Sequence, residues 1–317
     1  MSELMYMGVD YGSTYLKIGL VSRRGEVYEY KKYRSGGSAV QTLERAIEEY
    51  LSCCQHRPAA IGVGLVGLLD SRNGVWVHSL NMNIQQPFPL VRHLQKCFGL
   101  PVFIDNDVHA ATLAEKCFGV GRVTDDFVLI NVGTGVAAGM VSAGRLIRGV
   151  KNAAGEIGHM CVDAGGAPCT CGNRGCLEMI AGGRALAAAA RNAAQAEPHS
   201  LLAQMYAKAP LADTVFRAAQ KGDPAAMSLS TRAVQALGIG IVNLVNALNP
   251  EHVVLTGSVV NSDYFFEGVR DYVYEHAYIT ALRSLAGFSR SQVAGGHPGV
   301  CGAAALCWNM QREGDER

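Results

Sequence analysis

Apolar and polar positions alternate along this chain in a recurring order. Residues 5–22, MYMGVDYGSTYLKIGLVS, carry a β-rich run, a Gly/Ser/Thr turn and a second β-rich run, which predicts strand–turn–strand. Thr42–Cys54 has helical spacing, with Leu43, Ile47, Tyr50 and Leu51 on one face and Glu44, Arg45, Glu48 and Glu49 mostly opposite. AAIGVGLVGLLD (59–70) predicts a buried strand running into a loop, Leu90–Cys97 a helix, Pro101–Asp105 a strand, and a third helix begins near Asp107.

The stretch FVLINVGTGVAAGMV (127–141) then repeats the opening pattern. With Gly12 aligned to Gly133, Asp10 falls against Asn131 and Thr14 against Gly135, so strand, polar residue, Gly turn and return strand recur 121 residues apart. That recurrence predicts two duplicated α/β halves with a nucleotide held between them. Residues 180–248 read as mostly helical with a break near Glu197–Ser200; EHVVLTGSVV (251–260) reads as a strand ending in a Gly turn, and CGAAALCWNMQ as a closing helix.

Composition narrows the function classes. A length of 317 residues suggests about two domains, and a net charge of +1 lacks the basic surplus that nucleic acid or an anionic membrane would require. Two stretches of 18 residues carry no charge, Phe127–Gly144 and Ala233–Pro250, but their Gly, Asn and Gln content fits buried core elements better than membrane spans. The opening MSELMYMGVDYG has no basic start, apolar block and cleavage site of a signal peptide, so a cytoplasmic protein is expected. Ten cysteines in such a chain are then thiols or metal ligands rather than disulfides.

Their spacing points to metal. In GHMCVDAGGAPCTCGNRGCLE, Cys169, Cys171 and Cys176 fall within eight residues, separated by Thr170 and by turns at Gly172 and Gly175. With His159 they make a Cys3His set, the donor chemistry of a closed structural zinc site. Cys161, two residues from His159, is a rival for the fourth position. A metal fixing His159 and Cys176 would also fix Glu156 and Glu178, which are otherwise ordinary surface charge; such carboxylate and imidazole acceptors suit a polyol.

IDNDVHAA (104–111) sets Asp105, Asn106 and Asp107 at a strand–helix junction. Two readings stand there: a carboxylate capping the helix N-terminus, or a general base that orients a hydroxyl and accepts its proton late in phosphoryl transfer. Gly turns at Asp10–Thr14, Gly133–Gly135 and Gly257–Ser258 each follow an apolar strand and can present backbone N–H groups to phosphate; no GxxxxGK[ST] sequence occurs.

Together these residues resemble the ROK family of bacterial-type sugar kinases and sugar-responsive repressors. The resemblance spans essentially the whole chain and rests on DYGST (10–14), GLVGLLD (64–70), IDNDVHAA, NVGTGVAAG (131–139), AGEIGHM (154–160), CTCGNRGCLE (169–178) and VVLTGSVV (253–260). It implies an α/β protein of actin-like ATPase (ribonuclease H-like) fold, with 1–108 plus 300–317 as a smaller domain, 109–299 as a larger one carrying the zinc loop, and ATP and sugar meeting in the interdomain cleft. By matching position it implies Asp107 as catalytic base; Gly67, Asn81, Asn106, Asp107, Glu156, His159 and Glu178 as sugar contacts; and His159, Cys169, Cys171 and Cys176 as the zinc ligands. Gly12, Ser13, Thr14, Gly133, Thr134, Gly135 and Gly257 match phosphate loops, and Asp10 a contact to hydrated Mg2+. Ser13 and Tyr15 stand where the family often has Gly and Lys in DxGGTK, His109 where NDxNAA has Asn, and Val66 where GVPG has Pro.

The function so implied is an ATP-dependent hexokinase-type enzyme with glucose at its 6-hydroxyl, or an N-acetylhexosamine, as acceptor, and a homodimer as assembly. Its rival is a sugar-sensing regulator that binds without turnover. That rival needs a DNA-binding module, for which the first predicted strand, starting at about Tyr6, leaves no room ahead of it.

Overall fold

A computed structural model describes residues 4–293 and 297–315. The N-terminal strands β1 (Met5–Tyr11), β2 (Tyr15–Ser22) and β3 (Val27–Arg34) form an antiparallel meander, followed by helix α1 (Ala39–Cys53) and strand β4 (Ile61–Leu65). A small hairpin of β5 (Leu68–Asp70) and β6 (Val75–His78) leads to α2 (Leu90–Phe98), β7 (Val102–Asn106) and α3 (Asp107–Phe118). β4 and β7 add in parallel, giving a five-stranded sheet in the order β3-β2-β1-β4-β7.

The second half begins with β8 (Phe127–Val132), β9 (Val136–Ser142) and the short β10 (Arg145–Leu146). Helices α4 (Glu178–Ala181), α5 (Gly183–Ala196), α6 (Leu201–Lys208), α7 (Asp213–Ala219) and α8 (Pro224–Leu248) precede β11 (His252–Thr256); α9 (Asp263–His276), α10 (Ile279–Ser284), β12 (Gly287–Arg290) and α11 (Pro298–Asp315) close the chain. The second sheet runs β10-β9-β8-β11-β12, with β11 parallel to both neighbours. Strand for strand this is the order of the first sheet. The internal recurrence in the sequence therefore corresponds to a duplicated topology.

The chain folds as two compact units. The first runs through Asp125 and adds Gly139–Ala154 and the C-terminal segment from Gln292; the second comprises Asp126–Ala138 and Gly155–Ser291.

In the first unit β1 reads as a nearly continuous apolar run because both its faces are covered. Met7, Val9 and Tyr11 join Leu43, Ile47 and Tyr50 of α1 and Leu90 and Leu94 of α2 in one cluster, while Tyr6 joins Ala114 of α3 and Val300, Cys301, Ala304 and Cys307 of α11 in another. The period-2 alternation of the strand thus sorts its side chains between two helical layers. Trp76 of β6 is fully buried in the first cluster, and its indole N–H donates to Val66 O at 3.2 Å.

In the second unit α8 is the central helix. It is the one helix among the described residues long and apolar enough to cross a membrane. Ala233, Leu237, Ile241 and Val245 are buried, and α7 and α9 lie against the helix. Asp223 caps its start by accepting from Ala226 N–H at 2.9 Å, and Asn249 ends it in the left-handed conformation that Asn tolerates.

Candidate functional site

The first unit sets its acidic residues on two strand ends. Asp10, near the end of β1, pairs in register with Lys17 of β2, and Lys17 Nζ donates to Asp10 Oδ2 at 2.8 Å. The turn between them is Gly12–Ser13–Thr14, where Gly12 N–H donates to Tyr15 O at 3.0 Å and Ser13 and Thr14 are exposed. Ser35 braces the turn from outside, its hydroxyl donating to Gly12 O at 2.8 Å.

At the end of β7 the three residues of the DND run take different parts. Asn106 caps α3, its Oδ1 accepting from Val108 N–H at 2.8 Å and His109 N–H at 3.4 Å. Asp105 is fully buried and surrounded by donors: Arg148 Nε at 2.9 Å, Asn152 Nδ2 at 2.8 Å, Ser71 Oγ at 3.2 Å, His109 Nδ1 at 3.1 Å and the backbone N–H of Asn106 at 2.8 Å. Burial alone would raise its carboxyl; the His109 hydrogen bond and charge, together with Arg148, outweigh that and hold it well below the usual carboxylate range. A carboxylate held so far towards its ionised form, and with no exposed surface, has little proton affinity to offer a substrate hydroxyl.

Asp107 has a different environment. It is the first residue of α3, its Oδ1 accepts from Val108 N–H at 3.0 Å, and the residue is half-buried. The closeness of the surrounding protein, and after it the negative charge of Asp10, push its carboxyl up to about 7. A carboxylate poised near neutral pH has the proton affinity of a general base.

His109 explains its own departure from the family pattern. Its Nδ1 faces Asp105, and its Nε2 lies 3.2 Å from Ala154 O, so the imidazole spans from the DND strand to the end of segment 139–154. Replacing Asp105 by Ala leaves the Arg148 guanidinium without its carboxylate, and we expect a loss of about 3–5 kcal/mol, read as a lowered denaturant midpoint. Because the folded-state pKa is depressed, this contribution is present above about pH 4 and fades as the pH falls below it.

Gly67 sits in the turn after β4 with φ +115°, and Asn81 is exposed in the turn between Ser79 and Ile84.

In the second unit Gly133, Thr134 and Gly135 make the β8–β9 turn, Gly133 N–H donating to Gly135 O at 3.0 Å. The start of α5 is tied to it, with Gly183 N–H on Gly133 O at 2.9 Å and Arg184 N–H on Thr134 O at 3.1 Å. Glu178, first residue of α4, reaches the same turn: its Oε2 accepts from Val136 N–H at 2.9 Å, and a Cβ on Gly135 would fall 2.1 Å from that oxygen. Gly257 follows β11 with φ +101°, and a Cβ there would meet Val132 O at 2.4 Å, so only glycine fits.

The Cys3His block lies in the same unit. Backbone bonds from Cys169 N–H to Asn173 O at 2.8 Å and from Gly172 N–H to Cys169 O at 3.0 Å fold the CTCGN run into tight turns. Leu177 N–H to Met160 O at 2.9 Å and Val162 N–H to Gly175 O at 2.9 Å zip the block to the segment after His159. The donor atoms of His159, Cys169, Cys171 and Cys176 all lie within 4.8 Å of one another, with Cys169 Sγ 3.7 Å from His159 Nδ1 and Cys171 Sγ 3.6 Å from Cys176 Sγ. A zinc tetrahedron with Zn–S of about 2.3 Å and Zn–N of about 2.0 Å has edges of about 3.5–3.8 Å. The residues present therefore fit the ion. Cys161 is exposed and lies outside the set, bridging in β fashion to Cys176 through its backbone. Glu156 precedes the single 3-10 turn that carries His159 and is exposed.

Sequence reasoning missed Lys17, and with it the ring of donors around Asp105. The first was accessible, since pairing across a hairpin whose turn is Gly12–Thr14 sets Lys17 opposite Asp10. The second was not: Ser71, Arg148 and Asn152 stand 34, 43 and 47 positions from Asp105 in polar stretches without periodicity.

Two sheets of one duplicated order, each opening on a Gly-turn hairpin, define the actin-like ATPase class of fold. A family model described as "ROK family" matches residues 6–310. The chain belongs to the ROK family. A glucokinase of Halalkalibacterium halodurans is 34% identical over 321 residues, covering 96% of each chain. A ROK family glucokinase of Streptomyces griseus, solved in complex with glucose and AMPPNP, superposes with a TM-score of 0.80 at 28% identity, covering 95% of this chain and 98% of that one. A ROK family transcriptional regulator, homolog of E. coli MLC protein, superposes with a TM-score of 0.85 at 28% identity, covering 96% of this chain and 78% of that one.

Proposed function

We propose that this protein is an ATP-dependent sugar kinase that transfers the γ-phosphoryl group of ATP to a hexose hydroxyl, with glucose at the 6-hydroxyl as first substrate and N-acetylhexosamines next. The observation that carries the reading is Asp107, a half-buried carboxylate whose proton affinity is raised to about 7, at the N-terminus of a helix. In this role it holds the acceptor hydroxyl in line with the phosphoryl group and takes the proton late, which is most of what phosphoryl transfer asks of a protein. Full-length likeness to glucokinases supports it.

Gly67, Asn81, Asn106, Asp107, Glu156, His159 and Glu178 are the proposed sugar contacts. Gly12, Ser13, Thr14, Gly133, Thr134, Gly135 and Gly257 are the proposed phosphate contacts. Asp10 offers the hard oxygen donor that suits Mg2+, which when bound offsets charge on the transferring group. His159, Cys169, Cys171 and Cys176 would hold a zinc ion whose part is to fix the 157–178 segment, and with it Glu156 and Glu178. The protein acts in the cytoplasm as a homodimer, with neither nucleic acid nor membrane as partner.

The pH profile tests the base. Asp107 acts as the carboxylate, so kcat/KM for the sugar is expected to rise about tenfold per pH unit below about 7 and level off above it. A profile flat down to pH 5 would remove Asp107 from that role. The second reading, a sugar sensor without turnover, is favoured by the superposed regulator and separates from the first by the absence of ADP release.

A further inference from the structure

A second group of metal-donor side chains lies in the first unit, on helices that the proposed chemistry does not use. Glu44 projects from α1, and His93 and Cys97 stand four residues apart on α2, one turn above the other on a single face. His93 Nε2 is 3.1 Å from Glu44 Oε2, Cys97 Sγ is 3.5 Å from Glu44 Oε1, and Cys97 Sγ is 3.8 Å from His93 Nε2. All three donor atoms lie within 4.8 Å of one another.

The Cys97 Sγ–His93 Nε2 separation is close to the S–N edge of a metal tetrahedron, and Glu44 offers one carboxylate oxygen to each of these atoms at close to the N–O and S–O edges, with one donor atom from each residue within 4.8 Å of the others. With metal–S of about 2.3 Å and metal–N and metal–O of about 2.0–2.2 Å, the N–O edge is about 3.3 Å and the two edges to sulfur about 3.5 Å. The imidazole is also aimed. Phe88 meets the His93 ring edge-on, with centroids 5.3 Å apart and planes at 69°, which restrains rotation of the ring away from Glu44. One thiol, one imidazole and one carboxylate are a borderline-soft set that suits zinc better than Mg2+ or Ca2+, both of which prefer oxygen alone.

We infer that Glu44, His93 and Cys97 form a second zinc site, which joins α1 to α2 and leaves a fourth position open to water. On binding, the Cys97 thiol gives its proton to solvent and the thiolate takes the metal. His93 and Glu44 remain 33% and 37% exposed, so the ion enters and leaves from solvent without unfolding. Occupancy then follows the free zinc concentration, and the first unit is more stable when the site is filled. The competing account is a metal-free triad in which Glu44 accepts hydrogen bonds from both partners.

Metal stoichiometry separates the two. Chelator-stripped full-length protein is reloaded with Co2+ or Zn2+, passed over a desalting column and assayed for bound metal, in parallel with Cys97→Ser, His93→Ala and Cys171→Ser. Cys97 and Glu44 carry no proposed catalytic or sugar role, and circular dichroism checks that each variant is folded. The site predicts that Cys97→Ser and His93→Ala each bind one equivalent less than wild type, and that zinc raises the wild-type melting temperature by several degrees more than that of Cys97→Ser. It also predicts that Cys171→Ser keeps this equivalent, whatever becomes of the Cys3His block. Equal metal content in wild type and both α2 variants would overturn it, as would metal bound only at concentrations where any exposed histidine binds.

Discussion

Asp107→Asn is expected to lower kcat by about 10²–10⁴-fold while the sugar KM stays close to the wild-type value. Asn keeps the size of the side chain and can still cap the first turn of α3, where Asp107 Oδ1 accepts from Val108 N–H at 3.0 Å. What it loses is the proton affinity that burial and the charge of Asp10 have raised to about 7. Folding should not suffer, because removing a raised carboxylate relieves its repulsion with Asp10. Steady-state kinetics with the preferred sugar check the split. Wild-type turnover in the variant would remove Asp107 as base, whereas a raised KM with unchanged kcat would make it a binding group only.

Cys171→Ser should act through a different route. The block 169–176 holds His159 and, two residues past Cys176, leads into Glu178, whose carboxylate rests on the Gly133–Gly135 turn. Burial, followed by the hydrogen bonds of the Cys171 and Cys169 sulfurs, pushes the Cys176 thiol up to about 12, so without a cation Cys176 stays protonated, whereas the hydrogen bond from the Cys171 backbone draws the Cys169 thiol down to about 7. Loss of one ligand should cost the metal and loosen the segment that carries Glu156, His159 and Glu178. The expected result is a rise in sugar KM on the order of 10–100-fold with a smaller change in kcat, measured beside zinc content. Unchanged KM and full zinc content would count against the zinc loop as a support for sugar binding.

The elements that could be read from sequence were those with a strong period. The two Gly-turn hairpins, α1, α2, the strand ending in Asp105 and the start of α3 follow from alternation, helical spacing and turn chemistry alone. Strand β3 did not stand out, because VYEYKKYR is a half-exposed edge that buries no apolar face. β12 escaped for a related reason: four residues paired in parallel to β11 at a sheet edge carry too little pattern. Within the DND run the spacing offered a cap and a base without deciding between Asp105 and Asp107, and only the family resemblance singled out Asp107. What sets their surroundings apart stands far along the chain: Ser71, Arg148 and Asn152 all donate to Asp105. The Cys3His spacing was legible because its four donor residues are local, whereas the place of Cys161 outside that cluster depends on the backbone pairing of 160–162 with 175–177.

The most direct test of the central claim is a coupled ADP-release assay with ATP and Mg2+ against glucose, other hexoses, hexosamines and N-acetylhexosamines. Sugar-dependent ADP release, strongest with glucose or an N-acetylhexosamine, is the predicted result. Sugar binding detected by calorimetry with no ADP release from any member of the panel would contradict the kinase and favour a sensor that binds without reacting.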